Sequence, residues 1–275
     1  MSRPGQRRRP LLAALFVVAV TLVAARPVAA WFLFRGASAA VGERALPRGF
    51  TVITSGARDG VVVHALDLPA LPQAWTVVHF HNNRDTAGDG ADLARALHER
   101  GFGVLLVEYR GYGLSGGGEP SEAGFYADAE SALDGLADRG VPPGRVVLWG
   151  TSLGTGVAAE MARRARGAAL VLVAPYTSIP AVVLAAAPFA PAELLFSDRF
   201  DTLGKAAQIR VPTLIVHGDA DEVVPFWMGQ GLASTIVGAR LMHVVEGHHG
   251  DLFVRDRERI LDALDSLVRG GVPAG

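Results

Sequence analysis

Three short passages carry the side chains that could do covalent chemistry. The first is Gly150-Thr151-Ser152-Leu153-Gly154, a Gly-x-Ser-x-Gly set directly after the apolar run Val146 to Trp149 and directly before a helical stretch. A turn that tight forces the serine to strained backbone angles and leaves no room for side chains two positions away, so glycine is needed at both flanks. It presents Ser152 at a helix N-terminus, where free N–H groups and the helix dipole favour negative charge. A capping serine in a glycine-rich turn is the plainer alternative; the strand before and the helix after favour a nucleophile. A hydroxyl needs a base to take its proton, and in this kind of turn the partners follow in the order acid, then histidine. The second passage, Asp219-Ala220-Asp221-Glu222, follows the strand-like Thr213 to His217. Turn formation is the ordinary work of such acids, and one of them is expected to orient a histidine; spacing alone leaves Asp219 and Asp221 both open. The third, Gly247-His248-His249-Gly250, follows the last strand, where the base belongs. Adjacent histidines can also suggest a metal, but neighbours in a loop rarely converge on one ion without further ligands. No metal and no cofactor are expected.

Together these residues point to acyl transfer, which also needs donors for a developing oxyanion. One is expected to be the backbone N–H of Leu153, directly after the nucleophile. The other should come from His81-Asn82-Asn83-Arg84, after the third strand, with the N–H of Asn83 the first candidate and Asn82 the second.

These loops need elements to hold them. Phe50 to Ser55 and Val61 to Leu68 read as a hairpin around Arg58-Asp59-Gly60. Strands follow at Thr76 to Phe80, Val104 to Glu108, Arg145 to Trp149, Ala169 to Ala174, Thr213 to His217 and about 240–245. Helices are expected at Asp89 to Arg100, ending at Gly101 as a C-cap, at Ser121 to Arg139 with a weak cap, at Leu153 to Ala165, and at about 226–236 and 250–268. Buried apolar strands alternating with helices predict an α/β fold with a mostly parallel sheet covered on both faces. Residues 176–208 break the rhythm with Pro180, Pro188, Pro191 and many alanines, and read as a small helical cap.

The chain has 275 residues, enough for one large α/β domain, which we place at 49–275. Its formal net charge of −1 provides no field to recruit nucleic acid, and no nucleic-acid motif is visible. The absence of cysteine excludes disulfides, a thiol nucleophile and cysteine-ligated metal.

Residues 1–35 stand apart. Arg3, Arg7, Arg8 and Arg9 precede the uncharged Leu11 to Ala25; Arg26 and Pro27 follow, and Val28 to Phe34 is apolar again. One reading is a signal peptide with Val28-Ala29-Ala30 as a small-residue cleavage site. The other is a single spanning helix over 11–34, about 36 Å long at 1.5 Å per residue. Arg26 opposes it at ~2.5–3.5 kcal/mol if held at mid-bilayer, but lies off-centre and can snorkel, and Trp31 suits an interface. Either places the arginines in the cytoplasm and the domain outside it, anchored to the membrane in one case and secreted in the other. Residues 36–48 lack periodicity and read as a linker.

Six passages together resemble the α/β-hydrolases of the Bem46-like branch, of serine aminopeptidase type, which includes membrane-anchored serine hydrolases. They are His81-Asn82-Asn83, Glu108-Tyr109-Arg110-Gly111-Tyr112-Gly113-Leu114-Ser115-Gly116, Gly150 to Gly154, Asp198-Arg199-Phe200-Asp201, His217-Gly218-x-x-Asp221-x-Val223-x-Pro225, and His249-x-Asp251. The resemblance implies the α/β-hydrolase fold and the triad Ser152, Asp221 and His249. It selects Asp221 because that residue stands three positions after the strand-end glycine and four before the proline, and His249 because an aspartate follows two positions later. It implies cleavage of carboxylic esters or thioesters with small-molecule or lipid-like acyl groups. A peptidase on the same fold and a non-catalytic binding protein are the alternatives. Relatives carry His-Gly-Asn where this chain has His81-Asn82-Asn83; Asn82 would have to supply glycine's freedom, and asparagine tolerates left-handed angles better than most residues. Glu108 stands where an aspartate is more usual and is read as structural.

Overall fold

The computed structural model describes residues 20–21, 24–34, 47–115 and 117–270. Most of the apolar segment 11–25 and nearly all of the linker at 36–48 lie outside the described residues. Residues 24–33 are helical (α1). Among the described residues no helix is long and apolar enough to cross a membrane.

Among the described residues eight strands form one sheet in the order β1-β2-β4-β3-β5-β6-β7-β8. The hairpin is β1 (Thr51–Gly56) and β2 (Val62–Leu68), antiparallel, with Ser55 opposite Val63. Strand β2 pairs antiparallel with β4 (Gly103–Val107). From there every pairing is parallel: β4 to β3 (Thr76–Phe80), then β5 (Val146–Thr151), β6 (Ala169–Val173), β7 (Thr213–Gly218) and β8 (Arg240–Val244). This is the mostly parallel sheet expected of the strand–helix alternation, in the α/β-hydrolase arrangement that the resemblance implies.

Each central strand is apolar on both faces because both faces are covered. Alternate residues go to opposite layers, as strand geometry requires. Val78, Leu105, Leu148 and Leu170 pack under α3 (Glu122–Asp138), α4 (Leu153–Arg163) and α8 (Phe226–Thr235). Val77, Val104, Val147 and Val171 pack under α2 (Ala91–Glu99) and α10 (Arg257–Arg269). Ser121 caps α3 outright, its hydroxyl accepting from Gly124 N–H at 3.0 Å. The last helical stretch is divided: α9 (Leu252–Arg255) ends at Asp256, where α10 begins. The region read as a cap holds three short helices, α5 (Ile179–Ala186), α6 (Ala192–Leu195) and α7 (Thr202–Ala206).

The sheet order reverses at β3, whose neighbours are β4 and β5. In open α/β sheets the crevice at such a switch point, beyond the C-terminal strand ends, is where ligands bind. Here it lies between the loops after β3 and β5.

His79 of β3 is buried in this framework, its Nε2 3.1 Å from the Thr151 hydroxyl just before Ser152. Burial, reinforced by nearby His81, pushes its pKa down to about 3. Between the ordinary histidine value near 6.5 and about 3, the unfolded chain takes up a proton that the folded one refuses. Stability therefore falls as pH drops through that window, by ~1.4 kcal/mol per pH unit. We expect His79→Gln to flatten the decline of urea-unfolding free energy between pH 6.5 and 4.5 by about 2–3 kcal/mol. Parallel pH slopes in the two proteins would contradict this.

Candidate active site

Ser152 sits between β5 and α4 with φ 50° and ψ −116°, a region a non-glycine residue enters at a cost of ~1–3 kcal/mol. The surroundings hold it there. Its N–H donates to Val173 O at 2.9 Å, and the Thr155 hydroxyl donates to its carbonyl at 2.6 Å. The flanking glycines are required by close approach. A Cβ on Gly150 would stand 2.4 Å from Gly154 O, and one on Gly154 would stand 2.0 Å from Phe80 O. Any side chain at either position would push β3 and α4 off the turn.

The loops after β7 and β8 bring the other two groups to Ser152. His249 Nε2 lies 2.9 Å from Ser152 Oγ, and its Nδ1 lies 2.8 Å from Asp221 Oδ2. A carboxylate can only accept, so Nδ1 carries the proton and Nε2 is left to receive one from the serine. Asp221 is fully enclosed. Burial raises its pKa, but hydrogen bonds from His217 and His249, the charge of His249 and the Val224 N–H together hold it well below the usual carboxylate range. The N–H groups of Val223 and Val224 donate to Oδ1 at 2.9 and 2.8 Å. Asp219 is turned elsewhere, to Glu246 N–H and the His243 ring. His248 is exposed beside Glu222, 3.2 Å away.

His217, quoted in the sequence only as part of a motif, stands under Asp221. Its Nε2–H donates to Val224 O at 3.0 Å and lies 3.4 Å from Asp221 Oδ2. It braces both the carboxylate and the loop that carries it.

The loop after β3 is held by its carbonyls. Tyr109 OH donates to His81 O at 3.3 Å, His81 Nδ1–H to Asn82 O at 2.7 Å and Tyr112 OH to Asn83 O at 3.4 Å. Asn82 is not in the left-handed region expected for a glycine replacement. Its side chain carries the fit instead: Oδ1 accepts from the N–H groups of Arg84 and Asp85 at 2.7 and 3.1 Å. This is the local turn that asparagine forms and glycine cannot. Leu153, first residue of α4, has an N–H with no partner inside the helix.

The Glu108 to Ser115 run therefore has a purpose that the sequence alone does not reveal. Its tyrosines hold the loop after β3. Buried Arg110 pairs with Asp128 of α3 and with Asp59 of the hairpin turn, and Glu108 accepts from Ala87 N–H at 3.1 Å. The Asp198 to Asp201 run ties the cap to α3: Asp198 accepts from Glu122 N–H, while the Glu122 carboxylate accepts from the N–H groups of Arg199 and Phe200.

Ser152, Leu153, Asn82, Asn83 and His249 all open onto one cavity of ≈ 480 Å³, within the ~300–1,000 Å³ of small-ligand sites. Ile179, Val182, Val183 and Phe196 of the cap line one side, and Phe32 and Leu33 of the N-terminal segment another.

A family model described as "Serine aminopeptidase, S33" matches residues 72–204. An uncharacterized protein of Mycobacterium tuberculosis is 37% identical over 176 residues, 63% of this chain and 62% of the relative. The human alpha/beta hydrolase domain-containing protein 17B is 34% identical over 160 residues, 58% of this chain and 54% of the relative. The chain thus spans less than two thirds of the length of the curated relatives it matches. Among solved structures, an esterase of Pyrococcus furiosus superposes with a TM-score of 0.71 at 16% identity, covering 84% of this chain and 96% of that one. An esterase of Exiguobacterium antarcticum superposes with a TM-score of 0.64 at 21% identity, covering 80% and 100%. The chain thus has the α/β-hydrolase fold, and its sequence is similar to α/β-hydrolases over somewhat more than half of its length.

Proposed function

We propose that the chain is a serine hydrolase that cleaves carboxylic ester or thioester bonds by way of an acyl-enzyme. The observation that carries this reading is the unbroken relay from Ser152 Oγ to His249 to Asp221 at the floor of an apolar cavity. His249 Nε2 takes the Oγ proton as Ser152 attacks the carbonyl carbon. The N–H groups of Leu153 and Asn83 receive the oxyanion. The leaving alcohol or thiol takes its proton from His249, and water then releases the acid by the same steps in reverse. Asp221 keeps the imidazole in the tautomer that can accept from serine and stabilises it once charged. No step calls for a metal or cofactor.

The apolar walls favour an acyl group over a charged one. A peptidase is the second reading, supported by the description of the matching family model. It predicts turnover of aminoacyl anilides in preference to acyl esters, and the two substrate classes tested side by side separate the readings. The arginines at positions 3 and 7–9 followed by the uncharged 11–25 support a membrane-anchored protein with this domain on the extracytoplasmic side.

The direct test is labelling of the full chain with a fluorophosphonate probe beside Ser152→Ala and His249→Ala. The expected result is labelling of the wild type alone. A well-folded wild type that stays unlabelled would falsify the enzymatic reading and leave the hydrolase-like binding protein in its place.

A further inference from the structure

The sequence sets residues 1–35 apart from the hydrolase domain, yet the end of that segment is built into the pocket. Three ties fix it. Phe34 is buried in the main core, its ring 5.3 Å from that of Phe125 in an edge-on contact, and Phe125 stacks on Tyr109, which holds the loop after β3. Leu33 O accepts from the side-chain amide of Asn83 at 3.3 Å. Arg26 Nε donates to Leu194 O in α6 at 3.0 Å. The segment thus spans the cavity mouth from the loop after β3 to the cap, and between those ties Phe32 and Leu33 face the space beside Ser152 and His249.

We propose that Phe32 and Leu33 are specificity-determining residues, forming the wall against which the acyl chain packs and so setting its length preference, with Phe34 anchoring them. This rests on the acyl-hydrolase reading above. The physical argument is contact area. An acetyl group bound to Ser152 offers only one methyl to an apolar wall, whereas each further methylene buried against it adds roughly fourfold in binding. The wall therefore appears as a slope of activity with chain length, not as a uniform gain.

The experiment uses the full chain in lipid nanodiscs with p-nitrophenyl acetate, butyrate and octanoate. The expected result is that Leu33→Ala and Phe32→Ala each lower the octanoate-to-acetate ratio of kcat/KM at least fivefold, while Leu33→Met retains it. An unchanged ratio overturns the proposal. So does an equal loss at every chain length, which marks disturbance of the loop at Asn83 without a role in acyl recognition. If the wild type neither turns over nor labels, the acyl-hydrolase reading has failed, and the wall is read by calorimetry of octanoate binding to the wild-type chain. Leu33→Ala should then weaken octanoate at least fivefold, and unchanged affinity refutes the wall by itself.

Discussion

Ser152→Ala is expected to lower ester hydrolysis by at least ~10³-fold and to leave the fold in place. The size follows from the chemistry: without Oγ there is no acyl-enzyme, and what remains is binding plus the oxyanion donors acting on water. Stability should not suffer, because the hydroxyl's one partner at the cavity is His249 Nε2, which can turn to solvent. The backbone angles make a finer prediction. Alanine keeps the strain of φ 50°, ψ −116°, whereas glycine reaches such angles freely. Ser152→Gly should therefore unfold at a higher temperature than Ser152→Ala, by a margin equivalent to about 1–2 kcal/mol. Retained hydrolysis in the purified alanine variant would remove Ser152 from the mechanism. A glycine variant no more stable than alanine would show that the turn is not strained.

The second large effect is expected at Asp221. An asparagine there can keep accepting from the N–H groups of Val223 and Val224 through Oδ1, which leaves its amide nitrogen facing His249 Nδ1. The histidine must then carry its proton on Nε2, where it can no longer accept from Ser152. Loss of the correct tautomer costs on the order of 10⁴ in kcat in serine proteases, and Asp221→Asn should fall by roughly 10³–10⁴-fold. Asp219→Asn should stay within about tenfold, since that carboxylate holds Glu246 N–H and His243 and does not touch His249. Equal losses in the two variants would mean that the loop as a whole matters and the tautomer does not. Because its hydrogen bonds hold the Asp221 carboxyl well below the ordinary carboxylate range, it stays ionised through that range and above it. An acid decline in activity above pH 4 cannot then be assigned to it.

Much of this arrangement is written in local sequence. The Gly150 to Gly154 turn is legible because only glycines survive where Phe80 O and Gly154 O approach so closely. The loop bearing Asp221 is legible because it follows a short apolar strand, which betrays itself by composition; the loop bearing His249 follows the mixed strand Arg240–Val244 and is marked less by that strand than by its Gly-His-His-Gly run. What local pattern does not encode is contact between distant segments. The placement of β4 between β2 and β3 depends on pairing across the chain. The bracing of Asp221 by His217 looks in sequence like an ordinary strand residue. The tyrosines at 109 and 112 are apolar in every periodicity, and their hydroxyls find the loop after β3 only in three dimensions. Residues 28–34 are a similar case: an apolar run after a longer apolar run carries no sign in sequence of a tie to the domain, and the contact of Phe34 with Phe125 is visible only in three dimensions. The division of the last helix at Asp256 interrupts an otherwise continuous helical pattern and carries no breaker residue.

The span of the relay has a consequence for the life of the nascent chain. Ser152 and His249 are 97 positions apart, and their loops are aligned only when β5, β6, β7 and β8 lie side by side. Parallel neighbours need long crossovers, so such a sheet assembles from distant pieces and comparatively slowly. Among the described residues, strand β8 is at the sheet's edge and is the last strand in chain order. Until it docks, the serine hydroxyl has no base and is no more reactive than any other. On the proposed mechanism, an activated serine is therefore a property of the assembled sheet and not of any shorter piece of the chain.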